Sequence, residues 1–153
     1  MGMYLKGKLI DENFILSDAQ ALPNATTGYT TNAIDLGIVS NIPSATYPSA
    51  AGSNGSLLIT VVAHTEVEVA GGASLTITPC FGTTSTPTTQ YGNRFVCTQG
   101  TDTPATWAVG TIITQFIVPQ DTLAAGTRYL RLLYTTSADE SLDTVDAFVS
   151  ILV

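Results

Sequence analysis

Apolar and polar positions alternate with period two along much of the chain. Ser74 to Thr78 sets Leu75 and Ile77 against Ser74, Thr76 and Thr78, and Ala33 to Val39 sets Ile34, Leu36 and Ile38 against Asp35. Successive side chains of a strand point to opposite faces, so both stretches predict half-buried strands. Leu57 to Ala63 is apolar on both faces, the pattern of a central strand, and the run continues into Thr65 to Val69, where Glu66 and Glu68 share one face. Gly71-Gly72 turns the chain, and Pro79 marks an edge strand or a bulge. Further strands are predicted around Phe95 to Thr98, over Thr111 to Val118 with Pro119 as the stop, and over Val145 to Val153, whose hydrophobicity requires pairing and burial. Polar loops rich in Thr, Ser and Pro separate them.

Arg128 to Thr135 is the most informative stretch, because it places two of five basic residues in a β-prone run. Leu130, Leu132 and Tyr134 share one face with Arg128 and are predicted to enter the core. Tyr129, Arg131 and Leu133 share the other, where a cation flanked by an aromatic and an aliphatic residue suits a sheet edge or a subunit seam better than open water. The first 32 residues read differently: Phe14, Ile15 and Leu16 stand without alternation, and Ser17 to Leu22 predicts a short helical turn capped by Ser17 and stopped by Pro23. Seven or eight strands separated by turn signals predict an all-β protein, an antiparallel jelly-roll-like β-sandwich over 33–153 preceded by an N-terminal arm over 1–32 that packs on the domain or a partner.

Composition sharpens this picture. The chain has 153 residues, 44% of them hydrophobic and only 11% charged, so its polar surface is largely uncharged. Such material favours sheet over helix. The net charge of −7 argues against binding nucleic acid, which needs clustered Lys and Arg, and against anionic lipid. No apolar run approaches the roughly 20 residues that span a bilayer, and Lys6 and Lys8 are not followed by a signal-peptide pattern. Cys80 and Cys97 match neither zinc nor redox spacing and are expected as free thiols in or near the core.

Candidate chemistry is sparse. His64, the only histidine, ends an apolar strand and is read as a hydrogen-bonded strand-end residue; no Gly-x-Ser-x-Gly elbow accompanies it. Glu66 with Glu68, and Asp139 with Glu140, are read as solvated carboxylates rather than an acid/base pair. Asp139, Glu140, Asp143 and Asp146 do not follow calcium-loop spacing. Arg94, Arg128 and Arg131 are expected to pair with carboxylates, with Asp35, Asp121 and Asp146 as partners, and Trp107 is read as a core residue. No catalytic residue, cofactor or metal is expected.

Three segments together resemble the capsid cement, or decoration, proteins of tailed bacteriophages: Leu16-Ser17-Asp18-Ala19-Gln20-Ala21, Ile34-Asp35-Leu36-Gly37, and Arg128-Tyr129-Leu130-Arg131-Leu132-Leu133-Tyr134-Thr135. The resemblance spans most of the chain from Met3 onward. It implies a jelly-roll sandwich, commonly a homotrimer, that sits on the outer capsid surface of the virion near three-fold positions, clamps neighbouring major capsid protein subunits and performs no catalysis. Assembly would take place in the host cytoplasm. Under this reading Phe14, Ile15, Leu16, Asp18, Gln20, Tyr129 and Arg131 are the candidate subunit or capsid contacts. The rival is a carbohydrate- or receptor-binding β-sandwich module of a phage, which would expose Trp107 and tyrosines on one concave face.

Overall fold

The computed structural model describes residues 3–5, 8–10, 12–36, 56–100, 105–119, 122–124 and 126–152. The strands, in chain order, are β1 (Met3–Leu5), β2 (Lys8–Ile10), β3 (Ile15–Ala21), β4 (Thr27–Tyr29), β5 (Ile34–Asp35), β6 (Ser56–Ala63), β7 (Val67–Val69), β8 (Ser74–Gly82), β9 (Thr89–Gln90), β10 (Phe95–Thr98), β11 (Ala105–Trp107), β12 (Ile112–Pro119), β13 (Tyr129–Thr136) and β14 (Thr144–Leu152). One sheet has the order β12-β6-β14-β3. The second has the order β10-β8-β13-β4, with β5 also on β13 and β9 also on β8. All pairings are antiparallel, and β1 with β2 and β7 with β11 form two small additional ladders.

The two sheets share one core, which makes the protein a β-sandwich. Leu57, Ile59, Val61 and Ala63 of β6 meet Leu75 and Ile77 of β8 and Leu130, Leu132 and Tyr134 of β13 in a single buried cluster. The alternation predicted for β8 and β13 is thus observed. β6 lies between β12 and β14, as its central pattern predicts, and on its far face Thr60 and Val62 are buried as well. Ile34 and Leu36 turn inward and Asp35 outward, as expected, while the rest of that predicted strand lies outside the described residues.

Three local expectations are corrected. The apolar run from Leu57 does not continue as one strand to Val69: β6 ends at Ala63, and β7 pairs separately with β11. β8 runs straight through Pro79 in the middle of its sheet. The Pro79 carbonyl accepts the Tyr91 N–H at 2.8 Å, so the side of the residue that lacks a donor faces away from β13. β10 pairs with β8 only over Ser74–Ile77 and β9 only at Cys80 and Phe81. The proline occupies the gap between them, where no ladder bond is lost.

The third correction concerns Ser17 to Leu22, which is strand and not a helical turn. β3 pairs with β14, with register shifts around Asp146, and Ala19 takes the left-handed region at φ 47°. Ser17 is fully buried: its hydroxyl donates to Gln20 Oε1 at 2.8 Å and lies 3.0 Å from the Tyr134 hydroxyl. A local cap is replaced by a long-range bond across the sandwich. The stretch read as an arm contributes β3 and β4 as outer strands of the two sheets and places Leu16 and Leu22 in the common core.

The Tyr134 hydroxyl has its pKa pushed well above the usual phenol value by burial, partly offset by Ser17. Ser17→Ala orphans this hydroxyl and is expected to cost about 1–3 kcal/mol, whereas Tyr134→Phe leaves Ser17 bonded to Gln20 and costs about 1 kcal/mol. The double variant should fall nearer the milder single one in urea unfolding. Equal and additive costs would contradict the pairing.

Candidate interaction surface

The outward face of the second sheet is built on β13. Its Arg131 stands opposite Cys80 of β8, and its Leu133 stands opposite Thr78 of β8 and Tyr29 of β4. The guanidinium of Arg131 lies 3.4 Å from the centre of the Tyr29 ring, and its Nε donates to the Pro87 carbonyl at 2.5 Å. Pro87 is buried against the sheet, so close that a Cβ on Gly82 would stand 3.0 Å from the Pro87 Cβ. The chain's own loop between β8 and β9 is thus clamped onto this face, in which Cys80, Thr78 and Leu133 are buried.

At the end of the same strand Arg128 pairs with Asp35 in a two-pronged contact, Nε to Oδ1 at 2.9 Å and Nη2 to Oδ2 at 2.6 Å, and its guanidinium lies 5.1 Å from the Tyr129 ring centre. This is the carboxylate pairing expected for the arginines. Arg131 departs from it by using an aromatic ring and a carbonyl. Nor do Tyr129 and Arg131 border a sheet edge, because β13 is flanked by β8 and by β4 and β5.

Of the remaining candidate contacts, Gln20 meets this face through Tyr29. Gln20 donates from Nε2 to the Tyr29 carbonyl at 2.8 Å, and its Oε1 accepts from Ser17 and from the Thr31 N–H and hydroxyl. Ile15 and Leu16 are buried and Phe14 is half-buried against the core. Of the seven residues, Asp18 alone is exposed. The other six spend all or part of their side-chain surface inside the chain.

His64 is hydrogen-bonded at the strand end, as expected, and its partner is Asp146, which is expected from the sequence to pair with an arginine instead. His64 Nδ1 lies 3.0 Å from Asp146 Oδ2, and Asp146 Oδ1 accepts the Ala19 N–H at 2.7 Å, so one buried carboxylate holds β3 and the end of β6 to β14. Cys80 and Cys97 are free and buried, as expected. Trp107 is half-buried with its ring edge-on to Phe95 at 6.1 Å. Glu66 and Glu68 are exposed as expected, but Glu140 is buried, which corrects its reading as a solvated carboxylate. Among the described residues no group of three or more His, Cys, Asp and Glu is placed to share a metal ion.

The surface that sequence reasoning missed lies on the opposite side of the sandwich. β12 and β10 are the outer strands of their sheets, and neither contains a charged residue. Ile117, Val96 and Ile112 are 56%, 51% and 47% exposed there. Gly92 to Val96 and Thr114 to Ile117 line a groove of about 560 Å³, and Arg94 is the only charged residue among the described residues that line it. Solvated outer strands are usually blunted by charge, irregularity or brevity. β3 has Asp18, the left-handed Ala19 and its register shifts, and β4 and β5 are short and separate. β12 has a register shift near Ile113 and Pro119 at its end, but between them it presents an uncharged, regular edge.

Burial raises the Cys80 thiol to about 11, against a smaller opposing effect of Arg131, so the thiol is protonated and sealed at neutral pH. Arg131→Ala removes the clamp on the loop. It is expected to lower stability by about 1–2 kcal/mol and to make Cys80 react with a thiol reagent under native conditions, where the parent reacts only on unfolding. Unchanged protection of Cys80 would show that the loop is held by other contacts.

A comparison with protein-family models finds none that matches this chain, and a search of characterised proteins finds no match.

Proposed function

We propose that the protein is a structural component of a virion, a capsid cement protein that binds the outer surface of a tailed-phage capsid and stabilises the lattice of its major capsid protein, with no catalysis of its own. The observation that carries this reading is the β10 and β12 side of the sandwich: two strands that are outermost among the described residues, with Val96, Ile112 and Ile117 exposed and a groove whose described lining holds no carboxylate. An apolar, sparsely charged edge of this kind suits burial against another protein. A homotrimer would present three such sides, and modest affinity per contact multiplies over a repeating shell.

The strand order supports a jelly roll. With β4 and β5 counted as one strand, β3, β4/β5, β6, β8, β10, β12, β13 and β14 are eight strands in turn, and the sheets run 1-8-3-6 and 2-7-4-5, the order of two interlocked Greek keys. The rival sugar-binding reading calls for Trp107 and tyrosines together on an open face. Instead Trp107 packs on Phe95, Tyr134 is buried, Tyr91 packs edge-on to Phe81 and Tyr29 lies under Arg131.

Ile117→Lys places a charge at the centre of the β12 edge. It is expected to reduce co-sedimentation with undecorated capsids at least about tenfold while leaving the unfolding free energy within about 0.5 kcal/mol of the parent, since the side chain is exposed. Light scattering is expected to give a trimer. A monomer that ignores capsids and binds immobilised glycans would replace the cement reading with the sugar-binding one.

A further inference from the structure

The loop joining β13 to β14 carries a carboxyl group in a position that ordinary solubility does not explain. Glu140 is only 6% exposed, and its Oε1 is fully enclosed without a hydrogen-bond partner. Among the described residues the charged groups facing it are Asp139 and Asp143 on its own loop and Glu68 on β7, all acidic, with the Ala70 backbone N–H as the compensating donor. No cation is among them.

The same loop is seated by bonds on two sides. Asp143 Oδ2 accepts the Glu68 N–H at 2.9 Å, and its carbonyl accepts the Leu22 N–H at 2.9 Å; the Ala138 carbonyl accepts the Ala25 N–H at 2.8 Å. The Asp143 N–H closes the turn on the Glu140 carbonyl at 3.0 Å. At the tip, Leu142 is 90% exposed, the most exposed large apolar side chain among the described residues. An ionised Glu140 would thus be an enclosed anion among three other carboxylates, beneath a loop whose bonds with β7 and residues 22–25 hold it down.

We propose that Glu140 is a proton-operated latch: neutral, it lets the β13–β14 loop seat on β7 and hold Leu142 in a fixed position, and ionised, it drives the loop off its seat. A protonated carboxyl removes the repulsion and supplies an O–H donor to an enclosure that otherwise offers mainly acceptors. Burial first, then Asp143, Asp139 and Glu68, raises the Glu140 pKa above its ordinary value of 4.5. A group whose pKa is raised in the seated loop binds its proton more tightly there than when released. Seating is therefore strongest below the ordinary value and weakens as pH rises through the raised one. Asp139 acts oppositely but in a separate window: its bonds from the Ser141 hydroxyl and N–H lower its pKa below the ordinary 3.8, so it stays charged while Glu140 takes up its proton.

The test is amide hydrogen exchange at Glu68 and Leu22, corrected for intrinsic rates, from pH 4 to pH 8. In the parent, protection is expected to fall about tenfold per pH unit between the released and seated pKa values of Glu140 and then to level off. Glu140→Gln, a neutral mimic of the protonated form, is expected to hold the high level at every pH. A flat profile in the parent, or an unchanged pH-dependent fall in Glu140→Gln, overturns the latch. Should that variant not fold, Glu68→Gln serves instead, with the Glu140 carboxyl followed by NMR. Its titration midpoint should lie above the ordinary value of 4.5 in the parent and drop in the variant; a midpoint at or below that value overturns the proposal.

Discussion

The fold depends on the register of two central strand pairs, β6 with β14 and β8 with β13. In each pair one set of alternate residues fills the space between the sheets: Leu57, Ile59 and Val61 with Val145, Ala147 and Val149 on one side, Leu75 and Ile77 with Leu130, Leu132 and Tyr134 on the other. A slip of one residue in either pair would turn its whole apolar set to the opposite face. The outer strands are less constrained. β3 tolerates register shifts and a left-handed alanine because its anchors are Leu16 in the core, the Ser17–Tyr134 contact and the Asp146 carboxylate, rather than a regular ladder.

A chain with so few charges must protect its polar and apolar surfaces by other means. The outward face of β13 and β8 carries the loop with Pro87 and Arg131 over the Tyr29 ring, an arrangement that uses the guanidinium as a cover as much as a charge. Gln20 does comparable work with neutral groups, its amide joining Ser17, Tyr29 and Thr31. Among the described residues the side formed by β10 and β12 has no such cover, and there the usual defences of a solvated sheet edge are thinnest.

Much of the fold was legible in the sequence, because period-two alternation reports directly on which face is buried. β8 and β13 follow from it, whereas β14 follows from the hydrophobicity of its run and the central position of β6 from its two apolar faces. What was not legible depends on partners distant in sequence. Ser17 looks like a helix cap until Tyr134 is placed beside it. Pro79 looks like the mark of an edge until β9 and β10 are seen to stop on either side of it. Arg131 and Tyr129 stood out because cations are scarce, yet the ring and carbonyl that engage Arg131 lie about a hundred and about forty residues away. The β10 and β12 edge was hidden for the same reason: both strands were recognised, but neighbourhood in a sheet is not written in a strand's own residues. Glu140 was misread because its acidic neighbours in sequence suggest a solvated loop, and its enclosure comes from β7.

The break at Pro79 bears on how this sandwich accommodates change. β8 holds two short partners on one side, β10 before the proline and β9 after it, and an unbroken partner, β13, on the other. Residues 91–94, which join β9 to β10, therefore connect two ladders that do not share a continuous register. Length added or removed there need not be transmitted through β8 to β13 and the core, so the rim beside the exposed groove can be remodelled in shape and size while the centre of the sandwich keeps its packing.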